Sequence, residues 1–367
     1  MLILGIETSC DETAVALIEG HKDHVILKSN VLATSLALHA KTGGIIPEQA
    51  AREQVKYILP VLKESLKKIS DITDTFDTLK QVDAIAVTFG PGLIGSLLVG
   101  VETAKTLSFV LHKPIIPINH MVGHIYANFI TENIKLKTKN QKSKLSPITY
   151  NLSPQINFPV LALVVSGGHT DLLLMKKHGN FQLLGGTRDD AAGEAFDKIG
   201  RMLGLSYPAG PEIERLAKEG NPKRFRFPRP LLYDDSYEFS FSGLKTAVLR
   251  EITKGNPQSA ILNPQTMKDI ARAAQDSLID VLVKKTLKAA QQYNVKSILL
   301  SGGVAANQTL REAFELNAKR LSLNAELFAP PKNLCTDNAA MIASAAYFNF
   351  HPVSWKDITA DPELYFD

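Results

Sequence analysis

Two hairpins with the same layout constrain the fold of this 367-residue chain most strongly. Apolar runs over 2–8 and 13–19 flank a polar turn, and apolar runs over 160–165 and 171–175 flank a second turn. Short apolar runs bounded by turn residues predict strands, so each half of the chain contains a predicted β-hairpin. The repeat predicts two related domains with a ligand bound between their paired turns.

Glycine-rich turns follow predicted strands and lead into helices. The strand over 83–89 runs into the turn 90–96, and the strand over 296–300 ends in Ser301-Gly302-Gly303. Ligands of open α/β sheets bind at such strand ends, so we expect Gly302 and Gly303 to contact one, like the similar turn at 166–168. The turn 90–96 matches neither a Walker A loop nor a dinucleotide fingerprint, and a structural glycine turn is an equal alternative.

Two histidines four residues apart, His120 and His124, lie in a segment with helical rhythm. This spacing puts both imidazoles on one helix face, where they supply half of a coordination shell for zinc or iron. We expect a carboxylate as the third ligand. A metalloprotease is disfavoured, because Met121 occupies the position of its general base. The chain has nine histidines, so the spacing alone leaves a chance pair open.

Acidic residues next to turns are further candidates. Asp11 lies in the polar turn of the first hairpin, where it either acts on a metal or water near a phosphate or belongs to an ordinary turn. Asp337 directly precedes a helix of small residues, and its position is also that of a plain N-cap.

Basic and aromatic side chains alternate over 223–229, a pattern typical of surfaces that bind phosphates and bases. We expect a nucleic-acid contact here; the alternative is a basic edge packed on the core. The basic residues are Lys223, Arg224, Arg226 and Arg229. The lysine-rich segment 132–158 has no periodicity and is predicted to be a solvated loop or linker. A net charge of +4 permits a polyanionic partner without requiring one.

The composition indicates a globular protein with reduced thiols. No run of about 18 apolar residues stands out, and the N-terminus matches neither a signal peptide nor a transit peptide. Cys10 and Cys335 are too few for a disulfide framework. We therefore expect a cytoplasmic protein without a membrane segment.

Together these segments resemble the universal tRNA threonylcarbamoyladenosine transferase family, TsaD, whose members were once described as glycoproteases. The resemblance covers nearly the whole chain. It is carried by the motifs at 7–13, 90–93, 119–124, 166–170, 192–198, 239–245, 301–307 and 336–339. The resemblance implies an α/β, two-domain fold of the actin, sugar kinase and Hsp70 (ASKHA) type, with a ligand cleft between the domains. We expect domains at 1–131 and 159–367, an inserted linker at 132–158, and a helix near 336–349 that packs back on the first domain.

The resemblance also implies the reaction. Family members transfer the threonylcarbamoyl group from threonylcarbamoyl-AMP to N6 of adenosine 37, in tRNAs that read codons starting with A, and release AMP. One Fe²⁺ or Zn²⁺ per chain is expected on His120, His124 and Asp337. Asp11 and Glu12 are the hypothesised candidates for a general base. Contacts to the intermediate are expected at Val165, Ser166, Gly167, Gly168, His169, Asp197, Gly210, Glu214 and Asn307.

The implied partners are tRNA, a same-fold subunit like TsaB, a small ATPase like TsaE, and a separate synthase that makes the intermediate. The chain departs from the family pattern at Val122, often acidic, at Ala209, often glycine, and at Gln54, commonly histidine. The alternative from another class is a nucleotide-binding scaffold of the same fold that lacks catalysis. A sugar kinase or general ATPase is disfavoured, because such enzymes need no pair of metal-binding histidines.

Overall fold

The computed structural model describes residues 1–42, 44–69, 75–132, 155–254 and 263–366. The chain divides into two compact units. Unit 1 contains Met1–Leu36, Ile46–Ile156 and Asp337–Tyr365, and unit 2 contains Ala37–Ile45, Asn157–Thr336 and Phe366–Asp367. Most of the linker predicted at 132–158, including its lysines, lies outside the described residues.

Strands and helices alternate along most of the described chain. The strands are β1 (Leu2–Glu7), β2 (Glu12–Gly20), β3 (Val25–Thr34), β4 (Ala84–Gly90), β5 (Ile115–Asn119), β6 (Ile130–Glu132), β7 (Val160–Val165), β8 (Thr170–Lys177), β9 (Asn180–Gly186), β10 (Ser297–Ser301) and β11 (Glu326–Phe328). The α-helices are α1 (Leu36–Thr42), α2 (Pro47–Lys67), α3 (Thr75–Lys80), α4 (Ile94–Leu111), α5 (His120–Tyr126), α6 (Ala192–Met202), α7 (Gly210–Ala217), α8 (Ser242–Thr253), α9 (Pro264–Gln292), α10 (Gln308–Arg320) and α11 (Ala339–Phe348). Short 3₁₀ helices cover Ala127–Phe129, Gly303–Ala306 and Lys332–Leu334.

The two units repeat one strand order. Within the described residues, unit 1 has a six-stranded sheet in the order β5-β4-β1-β2-β3-β6, and unit 2 has a five-stranded sheet in the order β11-β10-β7-β8-β9. In each, an antiparallel meander of three strands is extended beyond its first strand by two parallel strands. The predicted α/β class and both predicted hairpins are therefore confirmed. Sequence analysis missed β9, because Asn180–Gly186 has no regular apolar alternation.

Two helices differ from expectation. A proline inside a helix commonly kinks or breaks it, but α2 contains Pro60 and runs as a single helix to Lys67. Helix α4 is long and apolar enough to cross a membrane by length and composition, although no such run was expected, and 33% of it is buried. One such helix is a weak indication of a membrane segment, because core helices meet the same criterion.

Small residues let α11 lie directly against the sheet of unit 1. Five alanines of this ten-residue helix are fully buried. A Cβ added at Gly5 of β1 would lie 2.3 Å from the Ala339 carbonyl oxygen, so the two backbones are in contact there. The Ser344 hydroxyl donates a hydrogen bond of 2.9 Å to the Tyr126 carbonyl at the end of α5. These contacts hold α11 against both β1 and α5.

We predict that Gly5→Ala destabilises the protein by about 1–3 kcal/mol, because the added methyl group overpacks the contact between β1 and α11. Urea unfolding followed by circular dichroism measures the change. Gly243→Ala is the matched control, since its Cβ would come no closer than 3.8 Å to a neighbour. Equal stabilities of the two variants would contradict this account of the packing.

Candidate metal centre and nucleotide-binding turns

The pair of histidines occupies one end of α5. Asn119 caps this helix, since its Oδ1 accepts a hydrogen bond of 2.8 Å from the Met121 backbone N–H. His120 and His124 then lie one turn apart with their ring centroids 4.7 Å from each other. Both rings are almost fully buried, at 7% and 1% exposure. The prediction that the two imidazoles share a helix face is confirmed.

Asp337 reaches the same place from the start of α11. Its Oδ1 lies 3.4 Å from His120 Nε2 and 3.2 Å from His124 Nε2. The plain N-cap interpretation of Asp337 is wrong, because Asn338 caps α11 by accepting a hydrogen bond of 3.0 Å from the Met341 N–H. The cap one residue later leaves the Asp337 carboxylate available to the histidines.

These three residues fit a transition metal. One ligand atom from each lies within 4.8 Å of the other two. Among the described residues, Nδ1 of His124 is buried without a hydrogen-bond partner, and Nε2 faces the Asp337 carboxylate at 3.2 Å. Two imidazoles and one carboxylate are the ligand set of many non-haem iron sites and of some zinc enzymes. A metal ion would give the His124 ring a partner in addition to the Asp337 carboxylate.

The charges of His120, Asp337 and Glu7 shift one another's pKa values. Burial alone would raise the pKa of Asp337, but the charge of His120 and hydrogen bonds from both histidines hold it below its usual value. Burial alone would lower the pKa of His120, but the charges of Asp337 and Glu7 raise it well above its usual value. A metal ion bound here would replace a proton on His120.

The turn between β1 and β2 places the two hypothesised general bases next to this group. Gln54 of α2 holds the turn, because its Nε2 lies 3.2 Å from the Thr8, 3.0 Å from the Cys10 and 2.9 Å from the Glu12 carbonyl oxygen. Burial, then the charges of Asp337 and Asp11, raise the pKa of Glu12 to about 10. A carboxyl group that keeps its proton cannot act as a general base, so a raised pKa disfavours Glu12 in that role.

The two Ser-Gly-Gly turns lie side by side in unit 2. They follow β7 and β10, which pair in parallel. Gly302 has φ +86°, and a Cβ there would lie 2.4 Å from the Val165 carbonyl oxygen, so the two turns are in backbone contact. Among the described residues, a Cβ at Gly168 would meet nothing within 4 Å, and one at Gly303 would only touch Thr336 at 4.0 Å. Both glycines therefore face space that the described part of the chain leaves unfilled.

The other predicted nucleotide contacts have structural partners nearby. Asp197 Oδ1 accepts a hydrogen bond of 2.8 Å from Ala209 N–H, next to Gly210 at the start of α7, and burial raises the Asp197 pKa. Glu214 Oε1 accepts a hydrogen bond of 2.9 Å from Gln308 N–H. Asn307 caps α10, because its Oδ1 accepts a hydrogen bond of 2.9 Å from Leu310 N–H. Ser166 and His169 close their own turn, with His169 N–H donating 3.1 Å to Ser166 Oγ.

Known proteins resemble this chain along most of its length. The family model of TsaD, described as tRNA N6-adenosine threonylcarbamoyltransferase, matches residues 26–138 and 145–344. The chain belongs to this family. The proteins named tRNA N6-adenosine threonylcarbamoyltransferase from Symbiobacterium thermophilum and Anoxybacillus flavithermus are 47% and 46% identical to it, over 95% and 94% of this chain and 91% of each relative.

Solved structures support the fold class alone. The crystal structure of full-length HypF has a TM-score of 0.57 and 12% sequence identity. It aligns with 95% of this chain, which spans only 55% of the HypF chain. Membership of the TsaD family is shown by the family model and by the relatives that are similar in sequence. The predictions of a transferase and of N6-threonylcarbamoyladenosine formation on tRNA are thereby confirmed.

The segment predicted to contact the TsaD substrate tRNA is only partly free to do so. Arg224 pairs with Asp269 at 2.9 Å, and Arg229 pairs with Asp280 at 2.7 Å. The Phe227 ring is buried in the core of unit 2 and cannot stack on a base. Lys223 and Arg226 are exposed, and no ion pair is formed by either within the described chain.

No role was predicted for Glu7 from the sequence, although it lies in the motif at 7–13 that carries the family resemblance. In the structure Glu7 is fully buried, and its Oε2 lies 3.0 Å from His120 Nδ1. A charged residue at the end of an otherwise apolar strand was the available signal, since buried carboxylates need a partner.

We predict one bound transition metal per chain, and a fall in metal content of about tenfold or more in His124→Ala, because one of three ligands is removed. Elemental analysis of protein loaded with zinc or iron and then desalted gives the result. The double variant His21→Ala, His24→Ala is the control, since it removes two imidazoles in the turn between β2 and β3. Metal retained by His124→Ala, or absent from the control, would refute the assigned ligands.

Proposed function

We propose that this TsaD family member transfers threonylcarbamoyl from threonylcarbamoyl-AMP to N6 of adenosine 37, in tRNAs that read codons starting with A, and releases AMP. The observation that carries the proposal is the group formed by His120, His124 and Asp337, which a scaffold protein without catalysis would not need. For the two units we propose the actin, sugar kinase and Hsp70 fold, supported by their matched strand orders. The ligand cleft expected for this fold stays a prediction.

We propose that His120, His124 and Asp337 hold one Fe²⁺ or Zn²⁺. Such an ion supplies a Lewis acid that polarises the carbonyl under attack. The protein's own contribution is orientation and proton transfer, because an exocyclic adenine amine is a poor nucleophile. Asp11, in the turn that Gln54 holds, is the proposed acceptor of the amine proton, and Glu12 is proposed to hydrogen-bond to it.

We propose that the adenylate lies against the two glycine turns of unit 2. The turns Ser166-Gly167-Gly168 and Gly302-Gly303 end parallel neighbouring strands and can offer backbone donors to a phosphate. Asp197, Glu214 and Asn307 are proposed to line the same region. Their hydrogen bonds to the starts of α7 and α10 support this arrangement, because they fix those helix starts next to the turns.

We propose a cytoplasmic enzyme that works with partners. These are a same-fold subunit like TsaB, a small ATPase like TsaE, and a separate synthase that supplies threonylcarbamoyl-AMP. The name of the family supports tRNA as the substrate, and the three protein partners are what the resemblance to the family implies.

Nucleoside analysis of tRNA tests the proposed function. We expect depletion of this protein to remove N6-threonylcarbamoyladenosine from tRNA, and the wild-type chain to restore it. His120→Ala should fail to restore the nucleoside, because a proposed metal ligand is removed, whereas His21→Ala, in the turn between β2 and β3, should restore it. Full restoration by His120→Ala would show that the protein acts without this site, as a scaffold would.

Gly168→Val should fold normally yet bind AMP about tenfold or more weakly, a loss of about 1.4 kcal/mol, because the side chain enters space kept for the ligand. The same is expected for Gly303→Val. Calorimetric titration with AMP, after a thermal-unfolding check, makes the measurement. Gly243→Val is the control, as its Cβ would make only ordinary contact with Pro230. Wild-type AMP affinity in both turn variants would argue against these turns as the site.

For tRNA we expect the exposed cations of 223–229 to matter more than the paired ones. The logarithm of the tRNA binding constant falls as the logarithm of the salt concentration rises. Replacing Lys223 and Arg226 by Gln should make this slope less steep by roughly one unit for each phosphate that the variant no longer binds. Arg224→Gln and Arg229→Gln are the matched comparison, and smaller effects are expected because Asp269 and Asp280 already neutralise these residues. A slope unchanged by the first pair would exclude this segment from the tRNA surface.

A further inference from the structure

Glu7 is a buried carboxylate that the proposed reaction does not use. It is the last residue of β1 and has no exposed surface. Its Oε1 accepts a hydrogen bond of 2.6 Å from the Ser9 backbone N–H, and its Oε2 accepts one of 2.6 Å from the Thr88 hydroxyl. Burying a carboxylate costs several kcal/mol unless its oxygens are hydrogen-bonded and its charge is balanced.

His120 provides the balancing group. Its Nδ1 lies 3.0 Å from Glu7 Oε2, while its Nε2 lies 3.4 Å from Asp337 Oδ1. The ring is thus held between two carboxylates, one on each nitrogen. The Ser9 hydroxyl is a further neighbour of Nδ1, at 3.1 Å.

The donors and acceptors around His120 determine which of its two ring nitrogens carries a proton. Oε2 of Glu7 already accepts from Thr88, and a carboxylate without a proton can only accept. A contact of 3.0 Å to Nδ1 therefore requires a proton on Nδ1. In a neutral imidazole with Nδ1–H, the lone pair lies on Nε2, which faces Asp337 and His124.

We propose that Glu7 is a positioning residue of the metal centre, which holds the His120 ring and keeps it in the Nδ1–H form, so that the Nε2 lone pair points to the metal. The inference rests on the metal site of the proposed function. Carboxylate–histidine–metal arrangements of this kind raise ligand basicity and fix ring orientation.

The sheet explains how these groups meet. Strand β4 pairs in parallel with both β1 and β5. Glu7 ends β1, Thr88 lies near the end of β4, and His120 directly follows β5, so the three side chains come from the carboxyl ends of three adjacent strands. His124 lies one turn further along α5 and has no comparable partner among the described residues. Only one of the two imidazoles is therefore positioned in this way.

Glu7→Gln tests the proposal without changing side-chain size. In the wild type, one carboxylate oxygen faces Ser9 N–H and the other faces both the Thr88 hydroxyl and His120 Nδ1–H. An amide has only one oxygen, so it cannot accept hydrogen bonds on both sides at once. Either Ser9 N–H is left without its acceptor, or the NH₂ faces His120 and favours the tautomer with the proton on Nε2. We expect zinc and cobalt(II) to bind about 10- to 100-fold more weakly, as measured by competition with a chelator.

Two further measurements separate positioning from a general structural role. In zinc-loaded protein with ¹⁵N-labelled histidine, the wild type should show a proton on His120 Nδ1, and Glu7→Gln should reduce or abolish that signal. Calorimetric AMP binding, whose proposed residues lie in unit 2, should stay unchanged if the variant is folded. Thr88→Val, which removes one donor to Glu7 but keeps the carboxylate, should have a smaller effect on metal affinity than Glu7→Gln.

Glu19→Gln, which breaks the surface ion pair with Lys28, is the matched control and should keep wild-type metal affinity. A folded Glu7→Gln variant with wild-type metal affinity and an intact Nδ1–H signal would overturn the role of Glu7 and leave the proposed function standing. A wild-type protein that binds neither zinc nor cobalt would instead refute the metal site itself.

Discussion

Backbone contact between α11 and β1 is the constraint on which the metal centre depends. Gly5 and the alanines of α11 allow the helix to lie at a distance that larger side chains would prevent. Because α11 begins two residues after Asp337, this packing determines where the third ligand lies. Packing of small apolar residues thus controls the geometry of a charged site, since close-packed interiors transmit displacements of even a methyl group.

Asparagine caps perform a related task at the same site. Asn119 ends β5 and starts α5 directly before His120, and Asn338 starts α11 directly after Asp337. Each cap satisfies the helix N-terminus with its own side chain, so the adjacent ligand is not needed for that purpose. In unit 2, Asn307 caps α10 next to the second glycine turn. Because Asn119 and Asn338 are the capping residues, the side chains of His120 and Asp337 do not have to cap their helices.

Local sequence patterns predicted the hairpins, the helical histidine pair and the glycine turns, because each of these is determined by residues close together in the chain. Asp337 came only from the family resemblance, since a lone Asp before a helix also matches a plain cap. Pattern analysis could not show that Phe227 is buried or that Asp269 and Asp280 neutralise Arg224 and Arg229, because those partners come from α9. The hydrogen bond from His120 to Glu7 was inaccessible for the same reason: only the sheet brings the two residues together.

The position of Asp337 in the chain affects the order in which the protein matures. Unit 1 begins at the N-terminus, but its last stretch, Asp337–Tyr365, follows almost all of unit 2. A ribosome therefore completes the strands that carry Glu7 and both histidines long before Asp337 and α11 emerge, and chains are made at about 5–20 residues per second. The nascent chain holds two imidazoles without their carboxylate throughout this interval. All three proposed metal ligands are thus present together only late in synthesis, and a chain truncated before Asp337 would lack both the third ligand and the helix that covers β1.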